Sequence, residues 1–171
     1  MRAKQQDFKL YDGLAYWVVR FGRLMQQDLA ARLAEHDLND RKLGVLMSIE
    51  TSHKETPSAI AAYMSIDRAV VARTLKELRE QGLVQHYQDL SDGRSRRVVL
   101  TAEGRKVFKL GTECARAMNE AFAAKMPQGL AAQVRQTFRQ IATASGDEAE
   151  SAVAVVQNTQ VPGPRSNAVR N

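Results

Sequence analysis

The stretch from Thr56 to Thr101 most limits what this chain can fold into. Thr56-Pro57 reads as a helix start. Thr can accept from free backbone N–H groups, and Pro suits a first helical position that needs no N–H. Ala59, Ile60 and Tyr63 continue as a short apolar helix. Met64-Ser65-Ile66 makes a turn, and Ser65 or Asp67 can cap a second helix. On that helix Val71, Leu75 and Leu78 fall at i, i+4 and i+7, which is one apolar face. Gly82 follows the last periodic residue, where a left-handed C-terminal cap favours a residue without Cβ. Leu83 to Gln88 and Arg96 to Leu100 then read as two strands of a hairpin. The loop between them, Asp89-Leu90-Ser91-Asp92-Gly93-Arg94-Ser95, clusters the residues of turns.

Helix, turn, helix, arginine-loaded hairpin is the order of a winged helix-turn-helix. The face of the second helix opposite its apolar stripe carries Ala69, Ala72, Arg73 and Lys76. A major groove admits an α-helix, and small residues let its backbone approach the bases. Ala69, Val70 and Ala72 could touch thymine methyls, and Arg73 could read guanine or grip phosphate. The plain alternative is a solvated charged face. The hairpin weighs against that alternative. Arg94, Arg96 and Arg97 crowd near its tip, where arginines suit the negative potential of a minor groove. Asp92 is placed to pair with Arg94 or a neighbour and orient it.

The wing Asp89 to Arg96, closing on Val99-Leu100-Thr101 and Glu103-Gly104-Arg105, is similar to the D-x-x-D-x-R…LT-x-x-G pattern of the MarR family of bacterial transcription regulators. The run Asp67-Arg68…Arg73…Leu78…Gly82-Leu83-Val84 resembles that family's recognition helix and its exit. The likeness spans about residues 10–144. It implies a homodimer that binds double-stranded DNA at a pseudo-palindromic operator and mostly represses. It also implies Asp92 and Arg94 as a wing-tip pair, and Arg73 and Lys76 on the DNA-facing helix; Ser65, Arg68, Ala69, Val70, Ala72 and Arg96 are read beside them as further DNA-facing residues. Many members carry Thr or Ser where Val70 and Ala72 stand, so this chain should rely more on apolar contact and shape. Gly93 replaces a frequent second arginine, which weakens the wing's grip.

The flanks look like a holder for this unit. Leu10 to Leu33 reads as one long helix, with Leu10, Leu14, Trp17, Phe21 and Leu24 recurring by fours and threes, a seam suited to helix pairing. His36 to Asp40 breaks it, and Leu43, Leu46, Met47 and Ile49 form the next helix before the polar loop Ser52-His53-Lys54-Glu55. After the wing, Thr101 caps a helix whose Val107, Leu110, Cys114, Met118, Ala121 and Phe122 run along one side. Leu130, Val134, Phe138 and Ile141 make the last helix. Two long apolar-seamed arms beside a small unit imply a dimer. The expected fold class is all-α with a small β-hairpin wing. Its divisions are a flexible 1–9, a domain 10–144 (winged unit 40–101, dimerisation helices 10–35 and 102–144) and a disordered tail 145–171.

At 171 residues the chain suits one domain, and its net charge of +6 fits an anionic partner. No window reaches a transmembrane length and no apolar leader follows Arg2 and Lys4, so a cytoplasmic location and no membrane partner are expected. His36, His53 and His86 stand far apart without clustered ligands. No metal, cofactor or catalytic group is therefore expected, and the chain is read as no enzyme. Cys114, the lone cysteine, could sense oxidants and release DNA, but its place on an apolar run favours a buried small hydrophobe. Trp17 and Arg20 share the first helix with Tyr16 and Arg23. The resemblance implies a small-molecule effector between arms and winged unit, and an aromatic beside arginine forks suits a carboxylate-bearing ring. The same residues also fit a core tryptophan and solvated arginines. Two other functions remain open on these residues: a non-specific nucleoid-type DNA binder, and a winged-helix module that binds protein.

Overall fold

A computed structural model describes residues 9–88 and 96–145. The expected long first helix is divided. A 3-10 turn, Leu10–Asp12, is closed by Gly13 N donating to Leu10 O, and Gly13 is extended. The helix α1, Leu14–Ala34, begins only after it. Glycine resists helix interiors because ordering it costs more backbone entropy, and here it breaks the register of the seam.

Asn39 caps α2, Asp40–Glu50, by accepting from Lys42 N at 2.9 Å. Thr56 caps α3, Pro57–Met64, by accepting from Ala59 N. Of the two candidate caps for α4, Arg68–Glu80, the structure uses Asp67, whose carboxylate accepts from Ala69 N at 2.6 Å. Ser65 instead ends α3 in the left-handed region at φ 51°, with its N–H on the carbonyls of Ala61 and Ala62. Gly82, at φ 69°, turns the chain out of α4 as expected.

The hairpin pairs β1, Val84–Gln88, with β2, Arg96–Leu100, antiparallel, in the register Val84 to Leu100 and Tyr87 to Arg97. Its inner side, Val84, Val98 and Leu100, joins Leu83 and the buried faces of α2, α3 and α4 in one core. Leu33, Val45, Leu46, Ile60, Met64, Val71 and Leu78 are also fully enclosed there. A polar tie braces the far end of α4. Asp37, left-handed at φ 54°, accepts from Gln81 Nε2 at 2.9 Å through its side chain and from Lys42 Nζ at 3.2 Å through its carbonyl.

Thr101 caps α5, Ala102–Ala123. Its hydroxyl accepts from Gly104 N at 3.0 Å and donates to Gly82 O at 2.7 Å, so one side chain joins the start of α5 to the exit of α4. Thr101→Ala is expected to destabilise the domain by about 1–2 kcal/mol. Chemical denaturation measures this, and an unchanged midpoint would show the tie to be dispensable.

The buried line of α5 is Gly104, Gly111 and Met118, one residue every two turns. Leu110, expected on the packed side, is 40% exposed. It precedes Gly111 and so lies about 100° round the helix from that line. Phe122 meets Phe21 of α1 edge-to-face, with ring centroids 5.3 Å apart. Gly129, left-handed, leads into α6, Leu130–Ala144, which has no buried residue. The apolar seam of α1 is also open: Leu14 is 76% exposed and Trp17 56%. The expected N-terminal segment 1–9 and tail 145–171 lie outside the described residues apart from Lys9 and Ser145.

Candidate nucleic-acid interface

The helix α4 has two unlike sides. Val71, Thr74, Leu75 and Leu78 face the core. Arg68, Ala69, Ala72, Arg73 and Lys76 are exposed, Val70 is half-buried, and Ser65 is exposed at the turn before the helix. Every residue expected to face DNA from this helix therefore stands on one outward surface or at its edge. No ion pair joins Arg68 or Arg73 to another described residue, so neither guanidinium must give up a charged partner there to meet a ligand. Lys76 lies 3.8 Å from Glu80, with both side chains mostly in solvent, a pairing that holds it weakly. Thr74 went unnoticed in the sequence pattern. Its hydroxyl donates to Val70 O at 3.0 Å, which lets a polar side chain sit inside.

The wing's tip, with Asp92 and Arg94, lies outside the described residues, as does the side chain of Arg96. Arg97 is placed differently from the expected crowd at the tip. Its Nη1 donates to Glu55 Oε2 at 3.0 Å, across from the hairpin to the loop before α3. Tyr87, its cross-strand partner, donates its phenol to the same Glu55 oxygen at 3.1 Å. Partial loss of water, then the hydrogen bond and negative charge of Glu55, push the Tyr87 phenol up, against the opposing pull of Arg97. Glu55 had looked like one residue of a polar loop. Nothing in its local pattern marks it, because both partners come from more than 30 residues away.

The residues expected to meet an effector separate. Arg20 lines a groove of about 650 Å³ on α1 with Leu10, Tyr16, Val19, Arg23 and Leu24. Its Nη1 lies 3.4 Å from the Tyr16 hydroxyl. Trp17 is not among the lining residues. Its indole donates to Tyr11 O at 2.7 Å, pinning the 3-10 turn to α1, while its ring meets Tyr16 edge-on. Cys114 is half-buried against the core, with Sγ 3.8 Å from Arg32 O. The described residues hold no group of three His, Cys, Asp or Glu side chains that could bind a metal, and no helix among them is long and apolar enough to cross a membrane.

The outward helix and paired hairpin agree with what known proteins share with this chain. The MarR family profile matches residues 36–95, from the end of α1 to the wing. A relative from Bacillus subtilis (strain 168), the uncharacterized HTH-type transcriptional regulator YwoH, is 30% identical over 96 residues, which cover 56% of this chain and 69% of YwoH. CouR from Rhodococcus jostii RHA1, solved bound to p-coumaroyl-CoA, is 26% identical with a TM-score of 0.65, covering 78% of this chain and 94% of CouR. The S. aureus MepR–DNA complex has the same fold at 18% identity, with a TM-score of 0.63 over 77% of this chain and 98% of MepR. The chain belongs to the MarR family of winged-helix transcription regulators, which are DNA-binding proteins and not enzymes.

Proposed function

We propose that the protein is a homodimeric, sequence-specific repressor that two copies of α4 seat on a pseudo-palindromic operator. The observation that carries this reading is the outward face of α4. Small residues (Ala69, Ala72) sit beside exposed cations (Arg68, Arg73, Lys76) on a helix fixed from behind by Val71, Leu75 and Leu78. Ala69, Val70 and Ala72 would meet base edges and methyl groups. Arg73 would read a base, and Ser65, Arg68 and Lys76 would hold the backbone. Arg94 of the wing, oriented by Asp92 and with Arg96 beside it, would reach the flanking minor groove. MepR bound to DNA supports such a docking.

The second copy covers the open apolar faces of α1 and α6, which no single chain buries: Leu14, Trp17, Phe138 and Ile141 all stand exposed. Patches of this kind mark protein contacts. Pairing through these arms sets the distance between the two α4 helices, and hence the half-site spacing. The work is done in the cytoplasm, where the chromosome is. A carboxylate-bearing aromatic effector would fit the groove beside Arg20 and Arg23, with Tyr16 and Val19 against its ring. It would act by binding better to a dimer whose recognition helices are wrongly spaced. CouR with its bound p-coumaroyl-CoA supports an aromatic, anionic effector, though there the negative charge is on phosphates and the acyl group is a thioester.

The test is binding to the upstream intergenic DNA and to scrambled DNA of equal length across a salt series. A preference of ~10³ or more at physiological salt is expected. Equal, salt-steep binding to both would favour the non-specific DNA binder, a reading that the net charge of +6 keeps in play.

A further inference from the structure

One residue outside α4 and the wing grips both strands of the hairpin. Glu55 lies directly before the Thr56 cap of α3. Its carbonyl accepts from Val98 N at 2.7 Å. Its Oε2 accepts from Tyr87 on β1 and from Arg97 on β2. Those two are cross-strand partners, so one carboxylate oxygen clasps a single rung of the ladder, and the backbone bond fixes the next residue of β2. The Glu55 side chain is 25% exposed and that of Arg97 43%, so the pair is partly shielded from water.

A two-stranded hairpin has little stability of its own. Its inner side is held by Val84, Val98 and Leu100 in the core, a contact whose driving force is non-directional. Two hydrogen bonds converging on one carboxylate are directional; both are charge-assisted, and the one from Arg97 is also an ion pair. They join the hairpin to the loop that starts α3, the helix directly before α4. We propose that Glu55 is a positioning residue that sets the wing's angle relative to α4, and that Arg97 serves this tie instead of gripping DNA. The proposal rests on the DNA-binding reading above.

The test uses the full chain and three variants: Glu55→Gln, Arg97→Gln and the two combined. Each single change removes one charge of the Glu55–Arg97 pair, whereas the double variant replaces both charges and can form an amide–amide hydrogen bond. Each single variant is expected to lose about fivefold or more in operator affinity, and the double variant less than the product of the two losses. The salt slope for Arg97→Gln should match the wild type. A slope lower by about one would mean that Arg97 neutralises a phosphate, and would overturn the proposal. Losses that simply multiply in the double variant would overturn it as well.

A second readout needs no DNA. In Glu55→Gln the backbone amides of β1 and β2 should exchange with solvent about tenfold faster, while those of α4 stay protected. Unchanged hairpin exchange would overturn the tie, whatever the DNA result. If the wild type shows no operator preference while Glu55→Gln still loosens the hairpin, the DNA reading fails and the tie stands.

Discussion

Gly104→Ala is expected to destabilise the domain by about 3 kcal/mol, and so to lower its melting temperature by about 6–12 °C. A Cβ at position 104 would lie 1.9 Å from Leu83 O, 2.9 Å from Leu83 C and 3.3 Å from Leu83 Cα. All three are backbone atoms, so no rotamer change relieves the clash. The Leu83 carbonyl also accepts from Thr101 N at 3.0 Å, and moving it would disturb the start of α5. Alanine's better helix propensity returns only about 1 kcal/mol. Gly111→Ala supplies a graded comparison. Its Cβ would meet Leu43 Cδ1 at 2.5 Å, the end of a flexible and only partly buried side chain, so it should cost less. Thermal melting of both variants checks the order. A Gly104→Ala protein that melts with the wild type would mean that α5 does not cross Leu83 this closely.

That glycine shows where the sequence stopped being legible. Caps and turns could be read locally. Thr56, Gly82 and Thr101 do what their chemistry favours, and each makes its cap or turn within a few residues of its own position. The inner face of α4 was also legible, because Val71, Leu75 and Leu78 repeat at the helical period. Gly104 and Gly111 could be placed inside a helix, but their reason lies in Leu83 and Leu43, on other elements. Thr74 was lost because a hydroxyl that bonds its own helix backbone can be buried without any apolar signal. The opposite error fell on Leu110. Its hydrophobicity suggested burial, yet the packed line of α5 is built on two glycines, which no hydrophobic pattern detects. For the site itself, the outward set on α4 could be read from periodicity. The Glu55 tie could not, because hydrogen bonds across 32 and 42 residues leave no spacing rule.

Arg73→Ala is expected to weaken operator binding by about 1–3 kcal/mol and to relax discrimination at one base pair, with the fold intact. Lys76→Ala should weaken all DNA alike and lower the salt slope by about one. The contrast follows from chemistry and position. Arg73 sits between Ala69 and Ala72 on one side and Lys76 on the other, on the exposed surface of a helix held from behind. Its guanidinium is a planar fork that matches the paired acceptors of guanine, whereas the lysine ammonium is a point charge that suits phosphate. Neither change should disturb the protein, since Arg73 has no ion pair with another described residue and the Lys76–Glu80 contact is long and solvated. Binding of each variant to the operator, to single-base variants of it and to scrambled DNA, over a salt series, separates the two roles. If Arg73→Ala lowers the slope and leaves base preference untouched, Arg73 is a phosphate clamp. Specificity would then have to come from Ala69, Val70 and Ala72 against thymine methyls, and from the shape of the groove.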